Sequence, residues 1–188
     1  MTQKQTTPWG EVGYPTFKRT YSRPLKNGKT EEWTDTVDRV VEACNKQLNC
    51  NFSEREQKDV RNIMLNLKGT VAGRFLWQLG TKTVDKLGLP SLQNCAFTVV
   101  DQPIRPFTWA FEMLMLGSGV GFNIQREHVY QLPKIKRKVK VTRLDENDAD
   151  FIVPDSREGW VDLLYRVLKA SFKTGENFTF ATHLIRGK

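Results

Sequence analysis

Cys95 opens the run Cys-Ala-Phe-Thr-Val-Val, and Gly117-Ser-Gly119-Val-Gly121 leads into Phe-Asn-Ile. A thiolate is a nucleophile, and a pair of thiols delivers two electrons by closing a disulfide. Glycine lets backbone approach a ligand closely, and backbone N–H groups bind phosphate. A thiol on a rigid strand beside bare backbone amides would therefore suit redox chemistry on a phosphorylated substrate. Each half also has an ordinary reading. A cysteine at a strand start is commonly a small buried hydrophobe, and Gly-x-Gly-x-Gly is commonly a turn. It is not the dinucleotide fingerprint, which needs Gly-x-Gly-x-x-Gly between a strand and a helix. Residue types alone leave these readings open.

The chemistry available elsewhere is narrow. The other cysteines are Cys44 and Cys50, no Cys-x-x-Cys occurs, and the two histidines, His128 and His183, are far apart. That composition argues against a zinc site and fits a reducing cytosol. The start of the chain, Met-Thr-Gln-Lys-Gln-Thr-Thr-Pro-Trp, lacks the apolar core of a secretory signal. No run of eighteen apolar residues exists to span a membrane. With 188 residues, the chain can bury one sizeable core, although its hydrophobic share is a modest 39%. A net charge of +8 implies attraction to nucleic acid or phosphorylated small molecules, or simply a solvated basic surface.

The elements that would hold these residues can be read in order. Residues 1–33 read as an extended arm that packs by Trp9, Tyr14, Phe17 and Tyr21. Interleaved basic and aromatic residues can also stack on single-stranded nucleic acid. Residues 34–70 read as a helical cap. Val37, Val40, Val41, Cys44 and Leu48 have helical spacing, which makes Cys44 inert packing. Cys50 falls in the exposed break that follows. Ser53-Glu-Arg-Glu56 is a capping box, its helix buries Val60, Ile63, Met64 and Leu67, and Gly69 ends it. Residues 71–188 read as α/β. Gly80-Thr81 suggests a turn presenting a hydroxyl. Cys95 to Val100 is a strand, Pro106 starts a helix with the stripe Phe107, Ala110, Phe111 and Leu114, and Gly117 stops it before the next strand. This β-α-β unit favours parallel strands. Lys134 to Arg143, with six basic residues, reads as an edge or hairpin strand. Phe151 to Val153 is a short buried strand. Asp155-Ser-Arg-Glu158 is a second capping box, opening a helix that buries Trp160, Leu163, Leu164, Val167 and Leu168 and stops at Gly175. Asn177 to Thr182 is a final strand.

Four motifs in series carry a resemblance. They are Gly73-Arg-Phe-Leu-Trp-Gln-Leu-Gly-Thr81, Leu92-Gln-Asn-Cys95, Gly117-Ser-Gly-Val-Gly-Phe-Asn123 and Pro154-Asp-Ser-Arg-Glu-Gly-Trp160. In order and spacing the chain resembles the amino-terminal part of a ribonucleotide reductase catalytic chain. The nearest type is the class II, adenosylcobalamin-dependent enzyme acting on triphosphates, in a compact phage-like version. The resemblance implies a helical cap followed by the first strands and helices of a ten-stranded α/β barrel, here a partial barrel. It implies that Cys95 is one half of the active-site dithiol and that Asn94 and Cys95 line the substrate site. It further implies that Thr81 bonds the substrate phosphate and that Ser118 and Gly119 lie along the nucleotide by backbone contact. The segment from Gln125 to Arg137 matches the place of an effector-sensing loop.

The resemblance also implies a ribonucleoside triphosphate substrate, a dNTP effector, a thioredoxin-like reductant and adenosylcobalamin held mainly by a C-terminal reductase polypeptide. It implies a cytoplasmic setting (the host's, if phage-encoded), no membrane and no specific nucleic acid. The family's radical cysteine lies in Asn-x-Cys-x-Glu. Two residues before Cys44, Cys50 and Cys95 stand Glu42, Leu48 and Gln93, so none of them is that cysteine. The chain is expected to be inactive alone and marginally folded, with the Phe178–Phe180 strand as an unpaired edge. The alternative is a non-enzymatic basic module binding nucleic acid through its arm and the Lys134–Arg143 strand.

Overall fold

The computed structural model describes residues 9–136 and 138–187. The start of the arm, Arg137 within the basic run and the effector segment, and Lys188 lie outside the described residues. The chain divides into two compact units, Met1–Gln93 and Asn94–Lys188.

The first unit is helical. α2, Trp33–Lys46, supplies its floor. Trp33, Val37, Val40, Val41 and Cys44 recur on one face of that helix and are all buried. Phe17, Met64, Leu76, Leu79, Val84 and Leu92 close over them from the other elements. Burial pushes the Cys44 thiol up, and neighbouring Cys50 adds to the shift, as inert packing requires. Cys50 is exposed.

The extended arm is corrected by α1, Gly13–Thr20. Pro15 sits in its first turn, where a missing N–H costs nothing. The aromatic packing expected of the arm is present. Trp9 stacks on Phe17 at 5.6 Å, and Phe17 meets the edge of Trp33 at 5.5 Å between ring centroids. These rings build a core, which removes the stacking platform that the nucleic-acid reading needed.

α3, Glu54–Leu65, opens on the expected capping box. The Ser53 hydroxyl accepts from the Glu56 amide at 3.3 Å, and the Glu56 carboxylate accepts from the Ser53 amide at 2.8 Å. Its end is corrected. Leu67, not Gly69, takes the left-handed position at φ +52°. The Lys68 amide donates to the Ile63 carbonyl and the Leu67 amide to that of Met64, each at 3.0 Å. This is the bonding of a Schellman stop, with burial of Leu67 against the core offsetting its backbone cost. Two short helices without a clear sequence period follow, α4, Gly73–Gln78, and α5, Lys82–Leu87. A 3₁₀ turn, Leu89–Leu92, completes the unit.

The second unit begins with the predicted β-α-β. β1, Cys95–Val99, and β2, Gly119–Asn123, pair in parallel, joined by α6, Arg105–Met115. Within α6 the stripe is corrected, because Met113 is buried and Leu114 is 55% exposed. A second sheet holds β3, Val141–Arg143, β4, Phe151–Ile152, and β5, Phe178–Ala181, all parallel in the order β3–β5–β4. The final strand is therefore central and paired on both sides, contrary to the expectation of an unpaired edge; β3 and β4 are the edges. Between β2 and β3 lies one turn of helix, α7, Arg126–Val129.

α8, Arg157–Lys169, runs into a π turn at Ala170–Thr174 and stops at Gly175, as expected. Its cap lies one residue later than predicted. Ser156, not Asp155, is the N-cap, accepting from the Gly159 amide at 3.0 Å. Val153, Leu163, Ala170 and Phe178 form the buried centre of this unit, flanked by Trp160, Val167 and Phe180. The second unit is thus an α/β arrangement of parallel strands in two small sheets.

Candidate active site

The parallel register sets Cys95 opposite Gly119 and Phe97 opposite Gly121. Side chains alternate along a strand, so these four residues share one face, while Ala96, Thr98 and Val120 project from the other. Near the start of the strands burial is asymmetric in the same sense, whereas further along Phe122 on the second face is exposed and Val99 and Asn123 on the first are half-buried. Ala96, Thr98 and Val120 are half-buried, and α6 packs against both strands. Cys95, Phe97, Gly119 and Gly121 are exposed. The thiol thus looks across at Gly119, a position of β2 that offers no side chain. A Cβ built at Gly119 would meet only the Asn94 carbonyl oxygen, at 3.8 Å. The chain's own packing does not demand glycine there, and the open space beside the thiol is available to a ligand.

Asn94 fixes this register. Its carbonyl accepts the Gly119 amide at 2.8 Å, holding Cys95 level with the glycine, and the Ser118 amide donates to the Met113 carbonyl at 3.0 Å. The bare amides anticipated at Ser118 and Gly119 are therefore already bonded within the chain. Contact with a nucleotide would run over the Cα edge of Gly119, since Ser118 itself is buried. The structure brings Asn94, Cys95, Ser118 and Gly119 together at the start of the paired strands.

Thr81 belongs to the first unit. It is the N-cap of α5, where its hydroxyl accepts from the Thr83 amide at 3.3 Å and donates to the Gln78 carbonyl at 2.7 Å. The expected turn is present, with Gly80 in the left-handed region at φ +79°. The hydroxyl proton rests on Gln78, so a bond to phosphate requires the hydroxyl to rotate.

Two features were not visible in the sequence. Gln47 and Arg39, both on the α2 side of the first unit, bond the backbone around Gly80-Thr81. They stand far from the turn in sequence, and no motif links them to it. A cleft of about 270 Å³ lies at the C-terminal end of β1, lined by Phe97, Asp101, Gln102, Arg105 and Trp109 among others. Strand C-termini of parallel sheets are where such folds receive ligands. In the expected effector segment the chain forms α7 and then irregular backbone up to Lys136. In the basic run, β3 is exposed throughout, and Arg143 pairs with Asp145 at 2.6 Å.

The family model described as the ribonucleotide reductase alpha domain matches residues 1–81, ending on Thr81. The chain is 31% identical over 232 residues to the adenosylcobalamin-dependent ribonucleoside-triphosphate reductase of Lactobacillus gasseri, a match covering 92% of this chain. It is 32% identical to the protein of the same name from Lactobacillus leichmannii, over 81% of this chain. A crystal structure of a B12-dependent, class II ribonucleotide reductase superposes with a TM-score of 0.78 at 25% identity over 96% of this chain. This chain belongs to the class II ribonucleotide reductase family. It spans about a third of the length of those relatives, 31% and 28% of the two proteins and 33% of the solved chain. Within the family fold, the helical unit and the parallel strands seen here are the opening part of the reductase α/β barrel.

Proposed function

We propose that the chain supplies the amino-terminal part of a reductase converting ribonucleoside triphosphates to 2′-deoxyribonucleotides. Cys95 is one thiol of the active-site dithiol. Thr81 bonds the substrate phosphate, and Asn94, Cys95, Ser118 and Gly119 border the nucleotide. The observation that carries this reading is the exposed Cys95 facing Gly119, a thiol beside a backbone surface with no side chain of its own.

The electron balance fits a dithiol. Two thiols closing to a disulfide release two electrons and two protons, and replacing a ribose 2′-hydroxyl by hydrogen consumes them and yields water. The partner thiol comes from reductase sequence beyond this chain, as does the radical cysteine. The roles left to this chain are to hold Cys95 at a fixed height on β1 and to offer the Thr81 hydroxyl to the phosphate. When bound, adenosylcobalamin supplies the radical. Two clefts among the described residues of the second unit, about 270 and 260 Å³, fall below the ~300–1,000 Å³ of ordinary ligand pockets and do not fit a corrinoid, so no step here runs through it. The reading carries with it a thioredoxin-like reductant, a dNTP effector, a C-terminal reductase polypeptide and a cytoplasmic setting.

The test is turnover by the reductase containing this chain, with adenosylcobalamin, a ribonucleoside triphosphate and a thioredoxin-like reductant. Cys95→Ser abolishes multiple turnovers while leaving substrate binding in place. Undiminished multiple turnover by that variant overturns the assignment. Salt-sensitive, tight DNA binding at physiological ionic strength would favour the basic nucleic-acid module instead.

A further inference from the structure

The Gly80-Thr81 turn is held from both sides by side chains of the helical unit. Gln47, the residue that caps the end of α2, bridges it. The Gln47 Oε1 accepts the Gly80 amide at 2.8 Å, and its Nε2 donates to Asp85 Oδ1, on α5, at 2.7 Å. One planar amide thus ties the residue before Thr81 to the helix after it. Arg39 holds the approach. Its guanidinium donates to the Leu79 carbonyl and, at 2.9 Å, to the Leu76 carbonyl. These are the last carbonyls of α4, which lack helical partners.

Arg39 is itself fixed by Glu31. The pair is bidentate, at 2.7 and 2.9 Å, and Thr36 adds a hydroxyl bond to the same carboxylate at 2.7 Å. Burial alone would raise the Glu31 carboxyl, but the bonds from Arg39, Thr36 and the Arg23 amide outweigh it and hold it below the ordinary carboxylate value. A charged, nearly buried fork of this kind has one geometry, so the carbonyls it grips have one position. Gly80 completes the fit, for a Cβ there would stand 2.6 Å from Arg39 Cγ.

We infer that Gln47 and Arg39 are positioning residues for substrate, acting through the Gly80-Thr81 turn to hold the Thr81 hydroxyl where the substrate phosphate binds. The inference rests on the assignment of Thr81 to the phosphate. It assigns the helical unit a task in substrate recognition. Gln47 touches neither substrate nor thiol, so its loss weakens phosphate binding without touching the redox step.

The experiment is steady-state kinetics of the reductase containing this chain, with Thr81→Val, Gln47→Ala and the pair Gln47→Glu with Asp85→Asn. The paired change swaps donor and acceptor, so the carboxylate still accepts from Gly80 and the new amide donates back to it. Gln47→Ala should raise KM for the ribonucleoside triphosphate about tenfold with kcat within about twofold, the signature of lost uniform binding. The inhibition constant of inorganic tripolyphosphate should rise in parallel, and the paired change should bring both back. If Thr81→Val raises KM but Gln47→Ala does not, or if Gln47→Ala lowers kcat alone in proportion to lost folded protein, the positioning role is overturned while the phosphate assignment stands. If Thr81→Val leaves KM and tripolyphosphate inhibition unchanged, the phosphate assignment falls and the positioning role falls with it.

Discussion

Cys95 and Cys44 show how neighbours decide what a thiol can do. Both stand in apolar runs. Cys44 lies on the buried face of α2, where burial favours its protonated form, whereas Cys95 is exposed beside glycine. Reactivity follows thiolate character and access, so a limiting dose of iodoacetamide on the folded protein should label Cys95 well before Cys44. Mass spectrometry of the digested product measures the order, and equal labelling would remove the distinction. Gly119 gives a second residue-scale expectation. Its built Cβ meets only an ordinary 3.8 Å contact, so Gly119→Val should shift stability by no more than about 1 kcal/mol, the span of strand propensities. The same change places a branched side chain beside Cys95 and should raise KM for nucleotide at least about tenfold, a loss of binding near 1.4 kcal/mol. An unchanged KM would mean that no ligand passes over that strand.

At the scale of elements, β5 is latched to its neighbours by two carboxylates. Asp145 takes a 2.6 Å ion pair from Arg143 and the Thr182 amide at 2.9 Å, which together bring it down to about 2 from 3.8. Asp150 accepts from the Thr179 hydroxyl and amide at 2.7 and 2.8 Å and is lowered as well. A carboxyl whose folded value is depressed stabilises the fold fully above its unfolded value, and loses that contribution as pH falls through the folded one. The sheet should therefore loosen between about pH 4 and 2. Amide exchange at Thr179 to Ala181 should accelerate over that window, and the acceleration should disappear with Asp145→Asn and Asp150→Asn together. The sequence made β5 visible through its alternation but not its place in the sheet, because parallel order is set by crossovers that leave no local mark. The same limit hid the grip of Arg39 and Gln47 on the Thr81 turn. Capping, by contrast, is local. The Ser53 box was readable outright, and the second cap was missed by one residue because Asp155 and Ser156 are both good N-cap types. Helix α1 leaves no local signal at its start, since Val12 at its N-cap position makes no side-chain cap, and Pro15 in its first turn is neutral.

At the scale of the whole molecule, β1, β2 and the residue after β2 leave large apolar side chains exposed. Phe97 is 64% exposed, Phe122 59% and Ile124 62%. Among the described residues β1 and β2 pair only with each other, and β3 and β4 each carry one unpaired edge. Exposed apolar side chains forgo about 25 cal/mol per Å² of burial, against a net stability of only about 5–15 kcal/mol for a whole domain. Unpaired strand edges add a template for further pairing. In the relatives, the remaining two-thirds of the chain is available to meet such surfaces. The 188-residue chain by itself should accordingly self-associate and bind a hydrophobic dye. Co-expression with the reductase sequence lying beyond it in the relatives should suppress both. Sedimentation velocity across a concentration series decides the first point. A dye-silent monomer with a single cooperative unfolding transition would show that Phe97, Phe122 and Ile124 need no cover. The exposure of Phe97 on the Cys95 face would then have to be explained by a ligand alone.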